Sequence, residues 1–219
     1  MRVLYVVGTL DIGGLERFVT NVSLRAKKSG AYEPLVLCVN EKRGSFLEVL
    51  ENMGVKIIEA PQRWTRNIKD LFGLSRQIRS LEPDIVHSQV NFSMGQQRLA
   101  VFLANSNIKF CITERSEYVR KGIPRIRRII QYNFLRFLGI NYTANSYSGA
   151  KHLAEQLGIS QSKIGVIPNG VSIIETDLAT RQKMRENLGW NENDFGIGYV
   201  SRLVPGKRHD LFLASISEL

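Results

Sequence analysis

The sequence contains little that would place it in a membrane, in an oxidising compartment or around a metal ion. No apolar run among its 219 residues approaches the ~20 residues that cross a bilayer, and the first apolar segment is too short for a signal peptide. The two cysteines, Cys38 and Cys111, lie in apolar strand-like segments, so we expect buried free thiols in a reducing compartment. Because Asp-x-Asp pairs, Cys/His clusters and nucleophile elbows are missing, we expect neither a bound metal nor a cofactor.

Positive charge is what the sequence has in excess. Lys and Arg number 30 against 20 Asp and Glu, and the net charge of +10 indicates an anionic partner: a nucleotide, a phosphorylated substrate, nucleic acid or anionic lipid. The segment Arg115–Arg136 holds seven basic residues and one acidic residue. Its apolar spacing predicts a core-packed amphipathic helix, whose basic face can also bind anionic lipid headgroups or a lipid diphosphate at ~1 kcal/mol per basic residue. Without a recognition-helix or RNA-binding signature, nucleic acid is not expected as a partner.

Short apolar segments alternate with helical patterns along most of the chain. Val3–Val7 reads as a strand buried on both faces, and a glycine turn and a helix follow it. Repetition of this pattern predicts βαβ units, and hence an α/β fold with a doubly wound, mostly parallel Rossmann-like sheet over residues 1–167. The later predicted strands are Leu35–Val39, Val55–Ile58, Ile85–Ser88, Phe110–Thr113, Tyr142–Ala144 and Ile164–Ile167.

The turn signal Pro168–Gly170 marks the predicted domain boundary. Beyond it, residues 168–219 read as a linker and the incomplete start of a second Rossmann-like domain, with a strand at Gly196–Val200 and a helix from His209. That strand has no partner strands after it in the sequence. We therefore expect one whole domain followed by part of another.

Three loops follow predicted strands, and ligands of parallel sheets bind beyond the carboxyl ends of the strands. Gly13 and Gly14 would point free backbone N–H groups at an anion and let a phosphate approach closely, or they form a tight turn without a ligand. Their spacing excludes the dinucleotide fingerprint and the P-loop. His87 either holds loop backbone by hydrogen bonds or acts as a proton carrier or sugar ligand. The loops are Gly8–Gly14, His87–Asn91 and Thr113–Glu117.

Five segments together resemble the family 4 nucleotide-sugar glycosyltransferases, in the order and at the spacing of that family. The resemblance implies the two-domain GT-B fold and an enzyme that transfers a sugar from a nucleotide diphosphate sugar to a lipid-linked or saccharide acceptor, with retention at the anomeric carbon. It also implies a cytoplasmic protein, which the basic segment would attach peripherally to the inner face of the membrane. The five segments are Gly13–Glu16, Pro83–Ser88, Thr143–Ser146, Val166–Val171 and Ser201–Lys207.

The resemblance also assigns roles to individual residues. Arg202 and Lys207 match the pair that clamps the donor diphosphate, where two cations would stabilise the charge that develops on the leaving group. The family's two glutamates, seven residues apart, are absent from the 219 residues, so His87 is the candidate catalytic side chain within them. The substrate-binding residues that the resemblance and the strand ends indicate are Gly13, Gly14, His87, Arg115 and Asn169.

The sequence departs from the family pattern at three positions. Arg115 lies near the place of a histidine after the fifth strand, where it can hold a phosphate, and Ser172 and Ser201 replace an aspartate and a glycine. Two alternatives remain: a nucleotide-sugar epimerase of the same fold, and a non-catalytic module that binds anions or nucleotide sugars. Because the second domain is incomplete, we expect the 219 residues alone to have no measurable transferase activity.

Overall fold

A computed structural model describes residues 1–60, 68–90, 94–115, 139–171, 177–201 and 203–218. The chain divides into two compact units, Met1–Gly170 and Val171–Leu219. The domain extents predicted from the sequence, residues 1–167 and 168–219, stay a prediction.

The first unit is built on a single parallel sheet. Its strands lie in the order β3-β2-β1-β4-β5-β6-β7, and each neighbouring pair is parallel. This confirms the doubly wound Rossmann-like class that the alternating pattern predicts. The strands are β1 Arg2–Val7, β2 Glu33–Cys38, β3 Lys56–Glu59, β4 Ile85–Ser88, β5 Lys109–Glu114, β6 Ile140–Ala144 and β7 Ile164–Val166.

Helices cover both faces of the sheet, because β1 sends alternate apolar side chains to opposite sides. Val3, Tyr5 and Val7 pack in a core cluster with residues of α1 and α2, whereas Leu4 and Val6 pack in a second cluster with residues of α3, α4 and α5. None of the described helices is long and apolar enough to cross a membrane. The helices of the first unit are α1 Gly14–Ser29, α2 Leu47–Asn52, α3 Ile68–Leu81, α4 Met94–Ala104 and α5 Tyr147–Leu157.

The strand order places the topological switch point between β1 and β4. The chain leaves β1 through α1 toward β2, and leaves β4 through α4 toward β5 on the opposite side of the sheet. Loops that diverge in this way open a crevice at the carboxyl ends of the two strands, where ligands of such sheets bind. The turn at Gly8–Gly14 and His87 therefore lie at the same edge of the sheet.

The loop after β2 supports the loop after β1. The Leu10 amide donates a hydrogen bond to the Arg43 carbonyl at 2.8 Å, and the Phe46 amide donates to the Leu10 carbonyl at 3.1 Å. Between these bonds lies Gly44 with a φ of +128°. A Cβ there would lie 2.0 Å from the carbonyl carbon of Leu10, so the close approach of the two loops depends on glycine.

The second unit contains α6 Leu178–Asn187 and α7 His209–Ile216, with a 3-10 turn at Pro205–Lys207. The predicted strand Gly196–Val200 is wrong, because these residues form no strand. A strand needs a neighbour for its backbone N–H and C=O groups, and the described residues of this unit supply none.

Both cysteines are free thiols, as predicted. Cys38 at the end of β2 is buried, whereas Cys111 in β5 is only partly buried. Cys111 lies opposite His87 in the β4–β5 register.

Candidate functional site

The candidate site begins at the amino-terminal end of α1. Gly13 caps this helix with a φ of −167°, an extended conformation open to any residue, and its carbonyl accepts a hydrogen bond from the Arg17 amide at 3.0 Å. A Cβ on Gly14 would meet no described atom within 4 Å. The fold therefore does not require glycine at position 14. Open space beside the first N–H groups of a helix is a place where an anion can bind.

Glu16 lies over the glycine turn. Its carboxylate oxygen Oε2 is 2.1 Å from the place that a Cβ on Gly13 would take. The same negative charge acts on Arg115, where it opposes the lowering of the pKa of the guanidinium by burial. Glu16 therefore links the glycine turn electrostatically to the end of β5.

Arg115 directly follows β5 and joins three parts of the first unit. Its Nε donates to the side-chain oxygen of Gln89 at 2.9 Å, and its Nη1 donates to the side-chain oxygen of Asn169 at 2.8 Å. The guanidinium lies 4.0 Å from the centroid of the Phe18 ring, which is within range of a cation–π interaction. These contacts tie the loops after β4 and β7 to the face of α1.

Arg115 remains a cation in this setting. Burial lowers the pKa of its guanidinium, but a guanidinium stays protonated in proteins at neutral pH. A permanent positive charge thus lies at the carboxyl edge of the sheet, close enough to His87 to lower the pKa of its imidazole. Such a charge suits a phosphate or carboxylate group of a ligand.

His87 in β4 is partly buried and uncharged at neutral pH. Burial, and after it the charge of Arg115, lower the pKa of its imidazole to about 4. Its Nε2 lies 2.6 Å from the hydroxyl oxygen of Thr113 in β5, and its ring centroid lies 5.6 Å from that of Tyr5 in β1. His87 therefore binds side chains of its own sheet, and at neutral pH it is a hydrogen-bonding group rather than a cation.

The structure brings the predicted residues of the first unit into one connected group. Gly13 contacts Glu16, and the charge of Glu16 opposes the lowering of the pKa of Arg115 by burial. Arg115 in turn donates a hydrogen bond to Asn169, and its charge adds to burial in lowering the pKa of His87. Sequence reasoning missed the polar and aromatic partners of these residues, although Gln89 falls in a predicted loop and Glu16 in a recognised segment. The partners are Glu16, Phe18, Gln89, Thr113 and Thr143.

Of the two donor-clamp residues that the resemblance implies, the structure describes Lys207. Lys207 lies in the second unit on the 3-10 turn, where its side chain is exposed and its carbonyl accepts a hydrogen bond from the Tyr199 hydroxyl. Arg202 and residues 116–136 of the basic segment lie outside the described residues. Within the described ranges, no group of three or more His, Cys, Asp or Glu side chains is arranged to hold a metal ion.

Comparison with known proteins identifies the family of the chain. The model of Glycosyltransferase Family 4 matches residues 12–174, a range that includes the glycine turn, His87, Arg115 and Asn169. The chain belongs to Glycosyltransferase Family 4. No curated protein sequence matches it.

Solved structures share the fold of this family 4 chain. HepE of Anabaena, crystallised with UDP and glucose, is 18% identical with a TM-score of 0.75 over 100% of this chain and 58% of HepE. A glycosyltransferase of Rickettsia africae ESF-5 is 21% identical with a TM-score of 0.69, over 88% of this chain and 50% of that one. The lipopolysaccharide outer core galactosyltransferase WaaB is 18% identical with a TM-score of 0.52, over 80% of this chain and 47% of WaaB. The family 4 chain thus spans about half the length of these proteins.

Proposed function

We propose that this family 4 chain forms the acceptor-side part of a glycosyltransferase that moves a sugar from a nucleotide diphosphate sugar to a lipid-linked or saccharide acceptor. The observation that carries the proposal is the group at the carboxyl ends of β1, β4 and β5. There the open space beside Gly14 and the charge of Arg115 suit an anion, and the neutral imidazole of His87 suits a hydroxyl. A substrate that carries both a diphosphate and a sugar presents these two chemistries together.

Lys207 and Arg202 are proposed to bind the donor diphosphate from the second domain. Two cations there would stabilise the charge that develops as the glycosidic bond breaks. Retention at the anomeric carbon is part of the same proposal, and it rests on the family resemblance.

Replacing Gly14 by alanine is expected to separate binding from stability. Alanine forms helices better than glycine, and its methyl group enters open space, so the free energy of unfolding should stay equal or rise by ~0.5–1 kcal/mol. The same methyl group narrows the approach to the helix N-terminus, so the affinity for diphosphates should fall about tenfold, or ~1.4 kcal/mol. Amide NMR titrations measure the affinity for UDP-glucose, a donor-type diphosphate, and for geranyl diphosphate, a lipid-type diphosphate.

Gly198→Ala is the matched control, because a Cβ there also meets no described atom within 4 Å and the residue lies in the second unit. It should leave the affinity unchanged. If neither diphosphate shifts the amide signals of residues 13–15 in the unmodified protein, the proposed anion site is wrong.

The 219 residues alone are expected to transfer no sugar. Positioning both substrates supplies ~7–11 kcal/mol of barrier reduction, and the second domain needed for it is represented here by a short unit without a described strand. Release of UDP from UDP-glucose by the purified chain measures this. Turnover that Arg202→Ala abolishes would contradict the expectation.

The basic segment Arg115–Arg136 is proposed to bring the protein to the cytoplasmic face of an anionic membrane. Seven basic residues against one acidic residue should hold it to vesicles that contain phosphatidylserine or phosphatidylglycerol, and added salt should weaken the binding. Cosedimentation with anionic vesicles tests this. Equal binding to neutral phosphatidylcholine vesicles is the contrary result.

A further inference from the structure

A row of three polar contacts runs from His87 across β5 and into β6. His87 Nε2 lies 2.6 Å from Thr113 Oγ1, and Thr113 Oγ1 lies 2.7 Å from Thr143 Oγ1. Thr143 Oγ1 in turn lies 3.2 Å from the carbonyl oxygen of Ile112. Both threonines are buried, and they face each other in the β5–β6 register. The row therefore lies inside the sheet, where the Sγ atom of Cys111, 3.8 Å from Thr143 Oγ1, is a further neighbour of the row.

The chemistry of the last group sets the direction of the hydrogen bonds. A carbonyl oxygen only accepts, so the Thr143 hydroxyl donates its single proton to Ile112. Thr143 then accepts from Thr113, and Thr113, whose proton is now used, accepts from His87 Nε2. The opposite direction would leave the contact between Thr143 and Ile112 without a proton. All three contacts are hydrogen bonds only when Nε2 of His87 carries the proton.

We infer that Thr113 and Thr143 are positioning residues: they fix His87 as its Nε2–H tautomer and so leave Nδ1 as a hydrogen-bond acceptor for a hydroxyl of a substrate sugar. The threonine roles rest on the geometry above, whereas the substrate hydroxyl rests on the proposed function. Within the described part of the chain, no group forms a hydrogen bond with Nδ1. The pKa of about 4 keeps the ring neutral, so the lone pair of Nδ1 is available at neutral pH.

This arrangement divides substrate recognition between two neighbouring side chains. A neutral ring nitrogen that only accepts can bind a hydroxyl, which has a proton to donate, but not a deprotonated phosphate oxygen. Arg115 only donates, so it suits the oxygens of a phosphate, and its Nε and Nη1 already donate to Gln89 and Asn169. Among the described residues, the Tyr5 hydroxyl contacts the hydroxyl of Tyr32 at 2.7 Å and not Nδ1 of His87.

The tautomer can be measured directly by two-bond ¹H–¹⁵N NMR correlations of the imidazole rings. The chain has three histidines, so spectra of the unmodified protein and of His87→Gln assign the signal. At pH 7 we expect the Nδ1 of His87 to have the shift of an unprotonated nitrogen. In Thr143→Val the hydroxyl of Thr113 loses its acceptor and can donate to Nε2 instead, so the proton should move to Nδ1.

Thr20→Val is the matched control, since Thr20 is also buried and its hydroxyl has no partner among the described residues. It should leave the His87 signals unchanged. A protonated Nδ1 in the unmodified protein, or an unchanged tautomer in folded Thr143→Val, overturns the inference even if diphosphates bind. Loss of diphosphate binding with the Nε2–H tautomer intact instead contradicts the proposed function and leaves the threonine roles standing.

Discussion

Replacing Gly44 by alanine is expected to lower the free energy of unfolding by about 3 kcal/mol, because strain and overpacking each cost ~1–3 kcal/mol. A φ of +128° is unfavourable for any residue with a Cβ. The added methyl group would also lie 2.0 Å from the carbonyl carbon of Leu10 and 2.2 Å from the amide nitrogen of Asp11. Both contacts are with backbone, which cannot move aside as a flexible side chain can. Urea unfolding measures the loss.

The control for Gly44→Ala is Gly198→Ala, which adds the same methyl group in open space. Its free energy of unfolding should remain within ~0.5 kcal/mol of that of the unmodified protein, as for most surface changes. A similarly small effect of Gly44→Ala would show that the loop after β1 does not depend on the loop after β2. The expected loss of stability therefore tests how the glycine turn is held.

Acid is expected to destabilise the first unit through His87. Its pKa is about 4 in the folded protein and 6.5 in the unfolded chain, so the unfolded chain binds more protons between these values. Stability is therefore fully present above pH 6.5 and is lost as the pH falls toward 4. At ~1.4 kcal/mol per pH unit, the total loss is about 3 kcal/mol.

His87→Gln removes this titration and keeps an N–H that can donate to Thr113. The difference in unfolding free energy between pH 7 and pH 4.5 should be smaller in the variant than in the unmodified protein. Tyr5, Cys111 and Arg115 face His87, but burial raises the pKa of the tyrosine and the cysteine, and the arginine titrates far above this range. If acid destabilised the two proteins equally, the titration of His87 would not be the cause of the acid sensitivity.

The sequence predicts the sheet well because its strands differ locally from everything around them. An uninterrupted apolar run such as β1 is typical of a strand buried on both faces, and the helices that alternate with such strands favour a parallel sheet. The same reasoning failed at Gly196–Val200, a segment that contains two glycines. There the described residues hold no neighbouring strand, and a strand is stable only through its pairing.

The sequence indicates which residues belong to the candidate site, but not which hydrogen bonds their side chains form. Strand ends and the family resemblance point to Arg115 and Asn169, yet nothing local in the sequence says that their side chains bind each other. The contact between Thr113 and Thr143 depends on the register of β5 against β6. Register is set by packing across the whole sheet, so a single segment of sequence does not contain it.

The strand order also has a consequence for how the protein folds as it is synthesised. The second neighbour of β1 is β4, and the Arg2 amide donates to the Asp84 side chain at 2.6 Å across 82 residues. At ~5–20 residues per second, β1 leaves the ribosome roughly 4–16 s before that partner. During this interval β2 is the native neighbour of β1 that is already synthesised, and the other edge of β1 is open to the wrong strand or to another chain. Completion of β4 is thus the step at which both edges of β1 have their native neighbours.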